Sequence, residues 1–478
     1  MMAAILLAGA WGSLAHADDR DEDIFGAPTP ETPPADVPPS DVPPPEAPPV
    51  TTTVPPTETP SFLGEVDLTP TGSADIARKL GLADDRLTIG GKLYVRANAY
   101  FIEGAKPEKS KLDNPNLLDM FVDARPNDRL RGFAQARMRY DFTVSAGDKD
   151  AYGTPISPSS VVLDQLWLKF DVAHRVFFTA GRQRIKWGAG RFWNPTDFMN
   201  QQALDPLAVF DERTGVGLIK VHVPIESIGA NLYGLGNFEG ANKLNQVGGA
   251  LRTEWVLGPS EVALSAAARK GQPVRLGGDA SAGVGPFDLH VEAAVLHGVT
   301  DPYYTGKLDF DTFTFPDEKN REDEWLPQVV GGGEVAIKYN DEDAVYVGAE
   351  YFYNGAGYDD ASLYPWLFAK GAYTPFYTGK HYGGVYVYLP SPGRLDDVSL
   401  TASTLANLSD ESYVSRLQVS YLALTWLNTY VYGQYHYGKS GEFHYSYDVP
   451  ESLAALGITI PDIDAPLLDV GLGASIAF

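Results

Sequence analysis

The sequence predicts an all-β protein, a transmembrane antiparallel β-barrel of about eighteen strands (sixteen to eighteen), and three observations carry that prediction. First, the C-terminal stretch alternates. Leu468, Val470, Leu472, Ala474, Ile476 and Phe478 fall on one parity, and Asp469, Gly471, Gly473, Ser475 and Ala477 on the other. Side chains of a strand repeat every two residues, so each set shares a face. Second, the chain from Arg86 onward divides into similar alternating stretches. Third, the connections sort. Numbered from the N-terminus, even connections are short, as at 125–128, 172–175, 224–227, 258–260 and 340–343. The long insertions, 188–212, 298–327, 355–380 and 438–465, all fall on odd ones. Membrane barrels have short turns at one rim and long loops at the other. Dropping one strand scrambles that sorting.

A strand that ends the chain on Phe478 resembles the closing strand of Gram-negative outer-membrane barrels. The resemblance implies an outer-membrane location, with lipid and lipopolysaccharide as surroundings. It also implies that Phe478 is read by the barrel-assembly machinery. An even strand count returns both termini to the short-turn side, the periplasm.

The elements follow in order. Residues 1–17 form a short apolar stretch ending in Ala15, His16 and Ala17, which reads as a signal peptide with an A-x-A cleavage site but no basic start. Residues 18–72 read as a disordered Pro-rich periplasmic linker. Its proline-dense part, 27–60, favours polyproline II at about 3.1 Å per residue, a reach of roughly 100 Å. Such reach suits a periplasmic polysaccharide-export protein as partner. Residues 73–85 read as a short helix with Ser73 as cap and Gly81 as stop. Residues 86–478 are the barrel. Its strands fall at 86–102, 116–124, 130–145, 160–171, 176–187, 213–223, 228–238, 245–257, 261–270, 273–279, 286–297, 328–339, 344–354, 381–389, 396–406, 413–425, 428–437 and 466–478.

Composition excludes other classes. No run of eighteen apolar residues follows the N-terminus, which rules out a helical membrane protein. The 26 Tyr, 22 Phe and 8 Trp suit the interface girdles of a barrel. Zero cysteines exclude thiol chemistry, Cys-bound zinc and disulfides. A net charge of −25 repels phosphate backbones, so nucleic acid is not a partner. Neither G-x-S-x-G nor HExxH occurs, and the eight histidines are scattered. The reading therefore names no enzyme, no catalytic residue, no cofactor and no metal.

Alternation assigns faces. Leu87, Ile89, Leu93, Val95 and Phe101 point to lipid, and Lys92, Tyr94, Arg96, Asn98 and Tyr100 to the lumen. In 130–145, Ala134, Ala136, Met138 and Tyr140 face out, leaving Arg131, Gln135, Arg137 and Arg139 inside. Lys169 is out of phase with Leu166, Leu168 and Phe170. Arg182, Arg184 and Lys186 share parity with Val176, Phe178 and Ala180, so their phase is ambiguous. A charge at the bilayer midplane costs ~2–4 kcal/mol, which favours placing them inside. Lys220 follows. These ten cations form a basic arc opposed in part by Asp119, Asp123, Asp141 and Asp171. Rings of Arg and Lys favour anion passage. The competing reading is a ladder of lumen salt bridges.

Gly181, Arg182 and Gln183, then an aromatic loop with Asn194 and Pro195, then a strand after Asp211, resemble alginate-export-type outer-membrane porins over about forty residues. The resemblance implies an eighteen-stranded barrel with an Arg-rich lumen that passes an anionic polysaccharide, and Arg182 as lumen-lining. Trp187 to Asp197 departs from that family's pattern.

The loop 188–212 holds Phe192, Trp193, Phe198, Met199 and Phe210. Such a loop is poorly suited to water and well suited to folding into the pore. Phe192, Trp193, Asn194, Asp197 and Phe198 are its expected constriction residues, the alternative being a packed outer cap. Trp193, Tyr233, Tyr346 and Tyr386 are candidates for stacking on sugars. The acidic run 317–324 is expected to be solvated and to approach lipopolysaccharide through divalent ions. The function expected is an outer-membrane channel with a basic lumen that exports an anionic polymer. The alternatives are a diffusion porin for small anionic solutes and a non-conducting receptor or anchor.

Overall fold

The computed structural model describes residues 86–148, 155–200, 202–209, 212–309, 312, 314–340, 343–447 and 463–478. The expected leader 1–17, linker 18–72 and helix 73–85 lie outside these residues. Nineteen strands form one sheet: β1 Leu87–Ile102, β2 Lys111–Asp113, β3 Pro115–Asn127, β4 Leu130–Asp141, β5 Ser159–Val172, β6 Val176–Gln183, β7 Val216–Ile225, β8 Ala230–Asn237, β9 Gly248–Leu257, β10 Ser260–Ala268, β11 Val274–Val284, β12 Phe287–Thr305, β13 Asp317–Lys338, β14 Ala344–Asn354, β15 His381–Pro390, β16 Val398–Asn407, β17 Ser412–Leu424, β18 Leu427–Gly438 and β19 Pro466–Ala477. Every neighbour is antiparallel, and β1 pairs with both β3 and β19, which closes the sheet. β2 is a three-residue strand on β1 at the long-loop rim. The other eighteen make the wall, and each matches a segment read from the sequence. The weakest of those, 273–279, is the start of β11.

Closure leaves no open edge, so every wall strand satisfies its backbone polar groups within the sheet. It rests on a tight fit at the chain's end. Gly91 N–H donates to the Phe478 carbonyl at 2.9 Å, and Phe478 N–H returns to Gly91 at 3.0 Å. A Cβ at position 91 would stand 2.6 Å from the Phe478 ring and 2.7 Å from the Asp119 carbonyl. Glycine is the residue that admits the ring.

The outer face is apolar. Val95, Met138, Leu166, Leu168, Leu264, Leu276, Leu417 and Leu472 are exposed on the parity opposite the charged residues. Aromatic residues flank this band: Phe287, Tyr339, Trp426 and Phe478 toward the short turns, and Tyr140, Phe142, Phe238 and Trp325 toward the long loops. An apolar belt between aromatic girdles is the surface a bilayer requires. Both ends of the barrel chain emerge at the short-turn rim, since Leu87 pairs with Ala124 and Ala477 with Lys92.

Two expectations are corrected. The insertion 298–327 is not a loop throughout: β12 and β13 stay paired up to Thr305 and Asp317. At 3.3 Å per residue this hairpin runs well beyond the nine to eleven residues that span a bilayer. Its acidic run 317–324 is therefore strand, braced by Arg321, whose guanidinium carbon lies 3.7 Å from the Tyr303 ring centroid. The insertion after β6 is also longer than 188–212. β6 stops at Gln183 and β7 starts at Val216, so the described residues between them are free of the ladder. Gly181, at φ +127°, breaks the extended backbone just before that point.

Candidate functional site: the barrel lumen

Parity and register fix which side chains enter the lumen. One β-bulge alters them. β4 residue Gln135 pairs with Gln165, but its neighbour Ala136 pairs with Leu163, so Asp164 is the extra residue on β5. A bulge re-aims a side chain. Below it Gln165, Trp167 and Lys169 point inward while Leu166 and Leu168 face lipid; at the bulge Asp164 also turns inward, fully buried.

The described residues of the segment 184–215, all but 201, 210 and 211, cross the lumen and are gripped by wall carboxylates. Glu350 on β14 accepts three consecutive backbone N–H groups, from Arg191 at 2.6 Å, Phe192 at 3.0 Å and Trp193 at 2.9 Å. His290 Nε2 on β12 adds a fourth contact at 2.9 Å. Glu292, also on β12, accepts from the amides of Ala189 (3.1 Å), Gly190 (3.2 Å) and Thr196 (2.7 Å), and from the Thr196 hydroxyl (2.8 Å). Asp164 accepts from Gly215 N–H at 3.1 Å and pairs with Arg184. Irregular backbone inside a barrel leaves amides without ladder partners, and these carboxylates supply them.

Side chains of the segment fill the space between wall sectors. Phe192 and Trp193, both 0% exposed, pack with Val330, Phe352, Tyr382, Tyr386, Leu405 and Val414 of β13–β17. Gly384 makes room for Phe192, since a Cβ there would lie 2.5 Å from the ring. Trp193 Nε1 donates to the Phe376 carbonyl at 3.0 Å. Trp187, Phe198 and Met199 pack against Leu218, Tyr233, Leu235, Ala250 and Ala294 on the opposite sector. Leu207 accepts a hydrogen bond from Arg416 on β17 through its carbonyl. Asp197 staples the segment, taking Arg213 at 2.8 Å and the Asn200 amide. Asn194 is buried, and among the described residues neither of its amide atoms has a hydrogen-bond partner.

The predicted cations occupy varied places. Arg137, 0% exposed, holds Asp119 at 2.6 Å and donates to the Glu212 carbonyl at 2.8 Å. Arg96 and Arg139 converge on the Glu212 carboxylate at 2.7 and 2.8 Å. Arg131 pairs with Asp123 at 3.0 Å. Lys92 sits opposite Asp119 with its ammonium 5.0 Å from the Tyr94 ring centroid. Lys169 and Lys220 face each other across Thr179 on the inward parity. Arg182 departs from its expected place. It pairs in register with lipid-facing Leu166 and with Gly217, and its guanidinium turns to Glu239, in the loop after β8, at 2.9 Å. Arg184 lies past the end of β6 and turns inward to Asp164, while Lys186 is exposed. The ambiguous parity of this strand thus splits the three.

The outer loops close over the segment. Between β14 and β15 lies a short helix, Tyr364–Lys370, that the sequence reading did not foresee. Between β18 and β19, Glu442 accepts from Phe376 N–H, from the Tyr382 hydroxyl at 2.5 Å and from the Asn407 amide at 2.9 Å. Its own N–H donates to Asp410 at 2.8 Å. Burial first, then the Asp410 charge, pushes the Glu442 carboxyl up to about 8. Phe443 joins the Phe192 and Trp193 cluster.

The sequence reading missed Glu292, Glu350, Asp164 and Glu212 as anchors. No local pattern marks them: Glu212 lies in the segment itself, Asp164 is the extra residue of a bulge, and Glu292 shares its inward parity with Asp288 and His290.

No family description and no curated protein sequence matches the chain. Among solved structures, it is similar to Vibrio cholerae OmpT with one loop deleted, an outer membrane protein, at 11% identity over 82% of this chain and 100% of that one, with a TM-score of 0.36. A triple mutant of the Rhodopseudomonas blastica porin shares 11% identity over 82% and 100%, with a TM-score of 0.39. Pseudomonas putida OprB at low pH shares 10% over 86% and 98%, with a TM-score of 0.41. Likeness at this level says nothing about cargo; the eighteen-strand wall rests on its own register.

Proposed function

We propose that the protein is an outer-membrane channel whose aperture is set by the segment 184–215. The observation that carries this reading is the grip of Glu292 and Glu350 on the backbone of that segment, inside a closed wall with an apolar belt. Such a strap can shift without breaking the wall, because the ladder hydrogen bonds of the strands do not involve it.

The cargo is an anion, and export of an acidic polysaccharide is the specific form of the proposal. Support comes from the inward cations of β4–β7, Arg131, Lys169 and Lys220, which line the lumen on the short-turn side of the strap. Rings of basic residues raise the local concentration of anions whatever the net charge of the protein. The arginines nearer the strap, Arg96, Arg137 and Arg139, are ion-paired and serve to hold it.

A second reading has its own observation. Three apolar clusters join the strap to β1 and β3, β7–β12 and β13–β17, as a permanently closed receptor or anchor would require. Planar-bilayer recording separates the readings. The channel predicts discrete conductance steps and, in a salt gradient, a reversal potential on the anion side. Absence of steps at any voltage favours the anchor. A strain lacking the protein retains acidic polymer in the periplasm if the role is export, and secretes normally if the role is diffusion.

A further inference from the structure

Where the strap meets the outer rim, a pocket is lined by guanidinium and carboxamide groups and by no carboxylate. Phe198 and Met199 of the strap form one side. Asn237 at the end of β8, Gly248 at the start of β9, Arg269 just past β10 and Arg275 on β11 form the other. The pocket measures about 310 Å³ including its open mouth, at the small end of ligand pockets. β8 joins β9, and β10 joins β11, at the long-loop rim, so the pocket lies at the opposite rim from Arg131 and Lys169.

Backbone carbonyls, not carboxylates, place both arginines. Arg269 Nε donates to the Gln246 carbonyl at 2.9 Å, and one of its terminal amines donates to the Glu239 carbonyl. Arg275 donates through one terminal amine to the Phe198 carbonyl at 3.3 Å. Gly248 leaves room for the Arg269 stem, since a Cβ there would lie 3.2 Å from Arg269 Cβ. Neither guanidinium forms an ion pair among the described residues.

The carboxylates nearby are already engaged. Glu239 is held by Arg182 at 2.9 Å and by Gly217 N–H at 2.7 Å. Asp197, whose charge attracts the Arg275 guanidinium, is taken by Arg213 and Asn200. Asn237 Oδ1 accepts from Glu239 N–H at 2.9 Å, which fixes the amide and leaves Nδ2 to donate. The unused polar groups of Arg269, Arg275 and Asn237 are therefore all donors. Arg269 stands two residues beyond Ala267, the register partner of Arg275, so two half-buried cations are neighbours with no counter-charge between them.

From this arrangement we infer that the pocket binds a small doubly charged oxyanion, phosphate or sulfate, either free or as the terminal group of a solute. Planar guanidinium forks match the oxygens of such a group, and hydrogen bonds to it are charge-assisted. An oxyanion between the two arginines also offsets their mutual repulsion. The inference goes beyond the channel reading, because the pocket can fill whether or not the pore conducts. Since Phe198 and Met199 close one side, an occupant also holds the strap against β10 and β11.

The test uses the folded full-length chain in a neutral detergent, titrated calorimetrically with inorganic phosphate, sulfate, glucose 6-phosphate, chloride and glucose. Phosphate and sulfate should bind, and chloride and glucose should not at the same concentrations. Glucose 6-phosphate binding as tightly as phosphate extends the site to terminal groups; its exclusion restricts the site to the free ion. Arg275→Gln and Arg269→Gln should each weaken phosphate binding at least tenfold. Arg275→Lys, which keeps the charge but not the fork, should fall between Arg275→Gln and the parent. Lys370→Gln, a charge lost from the outer-loop helix, should change nothing. Heat-modifiable gel migration verifies folding of each variant. Phosphate should slow amide exchange at Phe198 and Met199 several-fold in the parent and not in Arg275→Gln. A folded parent that binds no phosphate, binding indifferent to both arginine variants, or full competition by chloride at equal concentration overturns the site and leaves the channel reading untouched. A parent that binds phosphate and passes no current overturns the channel reading and leaves the site standing.

Discussion

Glu350 and Trp193 stand 157 residues apart in sequence and meet inside the lumen, where the carboxylate accepts the Trp193 backbone N–H at 2.9 Å. The same carboxylate takes the two preceding amides, so one side chain fixes one turn of otherwise irregular backbone. Hydrogen bonds to a charged acceptor contribute about 1.5–3 kcal/mol each, more than neutral ones. The strap is thus held by wall charges and packed by its own aromatics.

Replacing Glu350 by Gln keeps the shape, removes the charge and sets an amide NH2 against backbone donors. The expected loss is about 2–3 kcal/mol of local stability. Amide exchange at Phe192 and Trp193 should rise by one to two orders of magnitude, and mean single-channel conductance should increase. Glu292→Gln, which also sets an amide NH2 against backbone donors, should raise exchange at Ala189, Gly190 and Thr196. Unchanged exchange at these amides would show that the carboxylates are not the anchors.

Trp193→Ala removes a ring that is 0% exposed and stacked on Phe352 at 5.7 Å. Truncating a buried Trp costs about 3–5 kcal/mol. The loss should fall on the strap, because the wall pairing does not involve Trp193. Heat-modifiable migration should persist while a protease cuts within 184–215. Loss of the folded band would mean that strap and wall fold as one unit.

Gly91→Val should impair closure, since its Cβ position lies 2.6 Å from the Phe478 ring. The folded fraction on a gel run without heating should drop sharply. Phe478→Ala in the same chain should recover part of it by vacating the space. A Gly91→Val barrel that folds as well as the parent contradicts this account of the seam.

The outer-loop latch should depend on pH. Glu442 has an ordinary value of 4.5 and is raised to about 8 in the folded protein. Between those values the folded state binds the extra proton, so the latch weakens as pH rises from 4.5 and is weakest above 8. Burial pushes Tyr364 and Tyr373 well above their ordinary value, so they stay protonated through this window. Protection of the Phe376 amide relative to its intrinsic exchange rate should fall between pH 5 and 9, and Glu442→Gln should flatten that slope. A slope of opposite sign would refute the assignment.

The wall was legible because each lipid-facing residue alternates with a lumen-facing one, and a period of two survives without any tertiary knowledge. The sorting of short and long connections added the count. Arg182 was misplaced because Phe178, Ala180 and Arg182 share one parity, so charge cost and periodicity disagreed, and Gly181 ends regular strand geometry between them. The strap's aromatic core, Phe192 and Trp193, was visible as a loop too apolar for water. Its anchors were not, because pairing Glu350 with residues 191–193 is a fact of closure across the lumen, which no local pattern encodes. The hairpin of β12 and β13 was hidden for another reason: a strand above the membrane, rich in Asp and Glu, looks like a solvated loop.

The central claim, that the segment 184–215 sets the aperture, is tested most directly by a reversible lock in a chain without cysteines. A Cβ at Gly384 would lie 2.5 Å from the Phe192 ring, so Phe192→Cys with Gly384→Cys brings two Cβ atoms within about 5 Å, near disulfide range. Both are introduced into the Glu350→Gln protein, and single-channel conductance is recorded before and after reduction. The account predicts low conductance while the disulfide holds the strap on β15, and a stepwise rise when reductant releases it. Equal conductance in the oxidised and reduced states, with the disulfide shown to be formed, would contradict it.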